Sequence, residues 1–86
     1  MDGTWDECVI VEVPNLDGVQ IVWSPTLAAR LLSENWPKMD GRTYAAALNA
    51  CTDAMLGAAP AAPARDAFLA AIEDAKLKTF SRGHAG

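Results

Sequence analysis

Five prolines divide this chain of 86 residues, and their positions restrict its fold more than any other feature. Proline has no backbone N–H and a fixed φ, so it fits strand ends, turns and the first turn of a helix, and little else. Before Pro14 lies Trp5 to Val13, whose core Cys8-Val9-Ile10-Val11-Glu12-Val13 is rich in the β-branched residues that suit a pleated surface. Pro14 ends that strand, and Asp17-Gly18 marks a turn, glycine taking positive φ without penalty. Val19-Gln20-Ile21-Val22-Trp23 then returns as a second, antiparallel strand.

The other four prolines bound helices. Ser24-Pro25 opens the first: the serine hydroxyl can accept from an orphan N–H, and proline at the first helical position loses no bond. Leu27, Ala28, Leu31 and Leu32 give it an apolar face, and Pro37 stops it near Asn35-Trp36 by disfavouring the helical region for the residue before it. A second helix is expected over Gly41 to Leu56, with Asp40 as its cap, a stripe of Tyr44, Leu48, Cys51 and Met55, and Gly57 as its left-handed terminator. A third starts around Ala61, where Pro60 and Pro63 fall at the cap and first turn. Ala64, Phe68, Ala71, Ile72 and Ala75 line its inner face, while Lys76 and Lys78 suit the negative end of its dipole.

The reading is an α+β fold, a two-stranded antiparallel hairpin packed on three helices in the order β-β-α-α-α. Residues 1–80 form one domain and 81–86 a flexible C-terminal tail. The many alanines of helices two and three point to close helix–helix packing. Two strands alone are too few to be stable, so the helices must cover one face. Val9, Val11, Val13, Val19, Ile21 and Trp23 are assigned to that inner face, which leaves Cys8, Ile10, Gln20 and Val22 facing away.

Composition removes several function classes. With 51% hydrophobic and 21% charged residues the chain is globular rather than disordered. A net charge of −4 argues against nucleic-acid binding, which needs a surplus of Lys and Arg on one face. Asp2, Asp6, Glu7 and Glu12 load the start and Lys76, Lys78 and Arg82 the end, which reads as solvated termini or as a polar handle for a partner. No apolar run approaches the ~18 residues of a membrane span. The acidic start carries no basic segment of a secretory signal, so a cytoplasmic location is expected.

Catalytic constellations are equally sparse. The one histidine, His84, falls in the tail, where no Ser-His-Asp or Cys-His geometry can be held. Cys8, Cys51 and His84 lack metal-ligand spacing, and the two cysteines contain no CxxC pair, so reduced thiols and no metal or cofactor are expected. Cys51 sits on an apolar stripe, where burial makes a thiol inert. Cys8 shares a face with Ile10. The neighbouring carboxylates Glu73-Asp74 and Asp6-Glu7 do not converge on one point of a helix or strand.

Leu31-Leu32, Trp36-Pro37, Gly41, Tyr44, Ala47, Cys51, Gly57, Pro60, Ala64-Arg65 and Ala67-Phe68 follow an order and spacing that resembles the bacterial family domain of unknown function 982, known from rhizobia and related alphaproteobacteria. The resemblance runs from the first strand to the third helix. It implies a small α+β domain and no activity, so no catalytic residue is carried over from it.

Two functional readings follow. The favoured one is a non-enzymatic interaction or regulatory module, self-associating as a homodimer or binding a protein partner through the hairpin. A sheet solvated on one side should be polar there, yet Ile10, Val22 and Cys8 lie outside with Gln20, and open strand edges invite pairing. The alternative is a small-molecule or anion binder, or a minor enzyme, with a site of Trp36, Lys38, Arg42 and Tyr44 at the loop between helices one and two. There Asp40 opposes an anion, and Trp36 serves equally as a core plug. Arg65, at a helix start where cations are disfavoured, is expected to pair near Asp66 or with Glu34, or to face a ligand.

Overall fold

The computed structural model describes Trp5, residues 7–14 and residues 16–80. Strand β1 (Val9–Glu12) pairs antiparallel with β2 (Val19–Val22) in the register Val9 to Val22, Ile10 to Ile21, Val11 to Gln20 and Glu12 to Val19. Three helices follow: α1 (Pro25–Glu34), α2 (Arg42–Met55) and α3 (Ala61–Asp74). The fold is the α+β hairpin-plus-three-helix arrangement, with one addition. A short strand β3 (Lys78–Thr79) pairs antiparallel with β1, so the sheet has three strands in the order β2-β1-β3, with β1 central. The tail expected over 81–86, and His84 with it, lies outside the described residues.

The third strand arises from the way α3 ends. Lys76 adopts a left-handed φ of 59°; its N–H donates to Glu73 O (3.1 Å) and the Leu77 N–H to Ile72 O (3.1 Å). This pair of bonds closes a helix and turns the chain sharply. Leu77 to Phe80 then runs beside β1, and the Phe80 N–H donates to Ile10 O at 2.7 Å. Lys76 and Lys78 therefore serve a turn and a strand rather than the last turn of α3.

The helix boundaries follow from local chemistry. Ser24 caps α1, its Oγ accepting from the Leu27 N–H at 3.3 Å with Pro25 in the first turn. The cap of α2 is Gly41, not Asp40, at φ 94° and ψ 167°, a conformation essentially reserved for glycine. Gly57, at φ 81°, terminates α2, its N–H on Ala54 O (3.1 Å) and the Ala58 N–H on Asp53 O (2.7 Å). Pro60 caps α3, as the sequence predicts.

The core lies between the sheet and the helices. Val9, Val11 and Val13 meet Leu32 of α1, Cys51 of α2 and Phe68 and Ile72 of α3, all fully or almost fully buried. Phe68 is flanked by two tryptophans, Trp5 with ring centroids 6.0 Å away and Trp36 at 5.6 Å. Trp5 also donates from Nε1 to Ala61 O at 2.9 Å, which satisfies its polar handle inside the core. Where α2 crosses α3, Ala47, Ala54, Ala64 and Ala71 are buried and Cys51 Sγ reaches Ala64 O at 3.7 Å, a backbone approach that only small side chains permit. Leu27, placed on the inner face by periodicity, is 40% exposed.

Candidate interaction surface

Antiparallel partners opposite each other project from the same face of a sheet. With Val9 and Val11 inward, the register therefore turns Val22 and Gln20 inward as well, and Val22 is only 2% exposed. This corrects the expected orientation of β2: Gln20 and Val22 do not belong to the outer face, and Val19, Ile21 and Trp23 do. Cys8 and Ile10 keep their place there, both half-buried.

The outer face is consequently more apolar than expected. Ile21 on β2, Ile10 on β1 and Phe80, just after β3, form a row, flanked by Trp23 and Val19. Val19 is 46% exposed, Ile21 53%, Trp23 49% and Phe80 50%. Together they present on the order of 400 Å² of apolar surface, a size that on small proteins often marks a functional patch. Phe80 had no sequence signal pointing to the sheet, because its segment reads as the run-out of a helix. Glu12 and Lys78, opposite each other in the register, lie at the polar margin of the patch.

The two edges of the sheet differ. β3 is two residues long and carries Lys78, both common protections of an edge. β2 is Val-Gln-Ile-Val, with no charge, proline or bulge. The bond from Phe80 N–H to Ile10 O directs the backbone groups of Ile10 toward β3, so those of Val9 and Val11 point to β2 and are met by Val22 and Gln20. The N–H and C=O of Val19 and Ile21 then point outward, to an edge without a strand partner among the described residues. The Trp23 carbonyl, next along the edge, accepts from the Trp5 N–H at 2.7 Å.

The four residues at the α1–α2 loop do not converge. Trp36 is buried against Phe68, and Tyr44 is buried with its hydroxyl donating to Leu32 O at 2.8 Å. Lys38 reaches across to Asp74 at the end of α3 (3.0 Å); that hydrogen bond, and then the Asp74 charge, raise its pKa above the ordinary value. Arg42 stands exposed at the start of α2. The recess nearby is a groove of about 270 Å³ between α1 and α2, lined by Ala29, Arg30, Ser33, Leu48, Thr52 and Met55 among others, and it includes none of the four. This is below the roughly 300–1,000 Å³ of ordinary ligand pockets.

The remaining candidates have structural partners. Arg65 donates from Nε to Glu7 O at 3.0 Å, tying α3 to the segment before β1 rather than to Glu34. Neither cysteine is in a disulfide; burial pushes the Cys51 pKa up to about 12. Among the described residues no three His, Cys, Asp or Glu side chains cluster as metal ligands, and no helix is long and apolar enough to cross a membrane.

Comparison at the family level matches residues 7–79 to the family described as "Protein of unknown function (DUF982)". Neither the curated proteins nor the solved structures contain a match.

Proposed function

The chain belongs to the DUF982 family of proteins of unknown function, and from its surface we propose that it is a non-enzymatic interaction module that associates, with its own copy first, through the N-terminal hairpin. The observation that carries this reading is the outer sheet face, where Ile21, Trp23, Val19 and Phe80 stand half-exposed beside an unprotected edge. Covering such a face removes apolar surface from water at about 25 cal/mol per Å². Closed two-fold dimers are the commonest way for a small domain to do so. An anion or small-molecule site at Trp36, Lys38, Arg42 and Tyr44 finds less support, with two of the four side chains in the core and one engaged by Asp74. A cytoplasmic, bacterial setting and the absence of nucleic-acid partners belong to the same proposal, on the acidic composition and the family.

Two differently tagged copies, mixed at about 100 μM and cross-linked before capture, are expected to be recovered together. Ile21→Asp, which puts a charge in the middle of the face, is expected to lower recovery by about tenfold or more. Arg42→Ala, at the α1–α2 loop, should leave recovery unchanged. Undiminished recovery with Ile21→Asp overturns the hairpin as the association element.

A further inference from the structure

We infer that the open edge of β2 pairs antiparallel with β2 of a second copy, across a two-fold axis at Gln20, joining two three-stranded sheets into one of six. This deepens the association reading above and depends on it.

The backbone selects the register. Each copy offers four outward groups, the N–H and C=O of Val19 and of Ile21. Placing Val19 opposite Ile21 of the second copy makes a pair that exchanges two hydrogen bonds. The two-fold axis repeats that pair, and the resulting four bonds use all eight groups. A shift of two residues toward Trp23 calls on a carbonyl already bound by the Trp5 N–H. The opposite shift calls on Asp17, which lies in the turn and not in the strand.

Side chains favour a second copy over a foreign strand. In this register Gln20 faces its own counterpart at a position where antiparallel strands come closest, about 4.5 Å between Cα atoms. Gln20 is half-buried on the helix side of the sheet, between Val and Ile residues. A primary amide is self-complementary, its carbonyl accepting from the NH₂ of an identical neighbour. Charge agrees as well. A chain of net charge −4 repels its copy, but β2 is uncharged. Asp17 lies two residues before Val19, the last paired position, so the two Asp17 carboxylates lie at opposite ends of the seam. On the outer face, Val19 and Ile21 of one copy meet Ile21 and Val19 of the other, extending the apolar row.

The seam covers on the order of 400–500 Å² per copy, about half of the ~800 Å² of a standard stable interface. The dimer is therefore of the weak class, with Kd on the order of 10–100 μM.

Sedimentation velocity of the full chain, at concentrations spanning that Kd, tests the geometry. Ile21→Ala and Ile21→Pro both shorten the side chain, but only proline lacks the outward N–H, which the hairpin itself does not use. Ile21→Pro is expected to raise Kd about tenfold or more beyond Ile21→Ala, with the circular dichroism unchanged. Gln20→Glu sets two carboxylates face to face; it should weaken the dimer near neutral pH and restore it as the carboxyl protonates below its ordinary pKa of about 4.3. Arg42→Ala, exposed at the start of α2 and away from the sheet, should leave Kd unchanged. A wild-type chain monomeric throughout, or a dimer lost in Arg42→Ala, overturns the edge seam. Dissociation by Ile21→Asp, with Ile21→Pro no weaker than Ile21→Ala, overturns the edge geometry while association through the hairpin stands.

Discussion

A single thiol shows how position sets chemistry in this domain. Cys51 is fully buried where α2 crosses α3, and burial alone moves its pKa from 9.0 to about 12. The folded state holds the neutral thiol, whereas the unfolded chain ionises near 9. The raised value therefore contributes stability in full below about pH 9, and that contribution is lost as pH climbs toward about 12. Thermal unfolding between pH 8 and pH 11 is expected to show a decline that is shallower in Cys51→Ala than in the wild type; equal slopes would remove Cys51 as its source. Arg65 makes the same point for a cation. Its place in the first turns of α3 is unfavourable to the dipole, and the contact of its Nε with the Glu7 carbonyl compensates.

At the scale of elements, α2 and α3 end in the same hydrogen-bonded turn but with different residues in the left-handed position. α2 uses Gly57 and α3 uses Lys76. A side chain in that conformation costs roughly 1–2 kcal/mol. Lys76→Gly is thus expected to stabilise the domain by about 0.5–1 kcal/mol, part of the gain being lost to the freer unfolded chain. Gly57→Ala should destabilise by about 1 kcal/mol; a Cβ there meets nothing within 4 Å, so the cost is conformational and not steric. Denaturant melts of the two variants check both signs together. The turn at Lys76 also brings β3 to β1, and with it Phe80 to the outer face.

For the whole molecule, one aromatic side chain joins the layers. Phe68 on α3 has Trp5 on one side and Trp36 on the other, linking the segment before β1, the α1–α2 loop and the third helix. Phe68→Ala is expected to cost about 3–5 kcal/mol. For a chain of this length, total stability is roughly 4–13 kcal/mol. The variant should therefore melt well below the wild type, and a melting temperature within a few degrees of wild type would show that the tryptophans do not depend on it. On the opposite side of the sheet the row of Ile21, Trp23 and Phe80 stays half-exposed.

The boundaries of the elements were legible residue by residue, because capping and chain breaking act over three or four positions. Pro14, Ser24-Pro25, Pro37, Gly57 and Pro60 each do in the structure what their local chemistry requires. The family pattern was legible too, and it covers most of the chain. The face presented by β2 was not. Val-Gln-Ile-Val-Trp has apolar residues in both phases of its alternation, and hydrophobicity favours turning Val19, Ile21 and Trp23 inward rather than Gln20 and Val22. Pairing decides otherwise. The loop 13–18 between the paired Glu12 and Val19 has an even number of residues, so odd-numbered positions point inward in β1 and even-numbered ones in β2. β3 escaped for a related reason, since a two-residue strand exists only through the partner it pairs with. The α1–α2 loop was misleading because an aromatic side chain reads the same in a pocket as in a core. Local chemistry is written in adjacent residues. Which face of a strand meets water depends on register, and register is a property of two segments brought together by the fold.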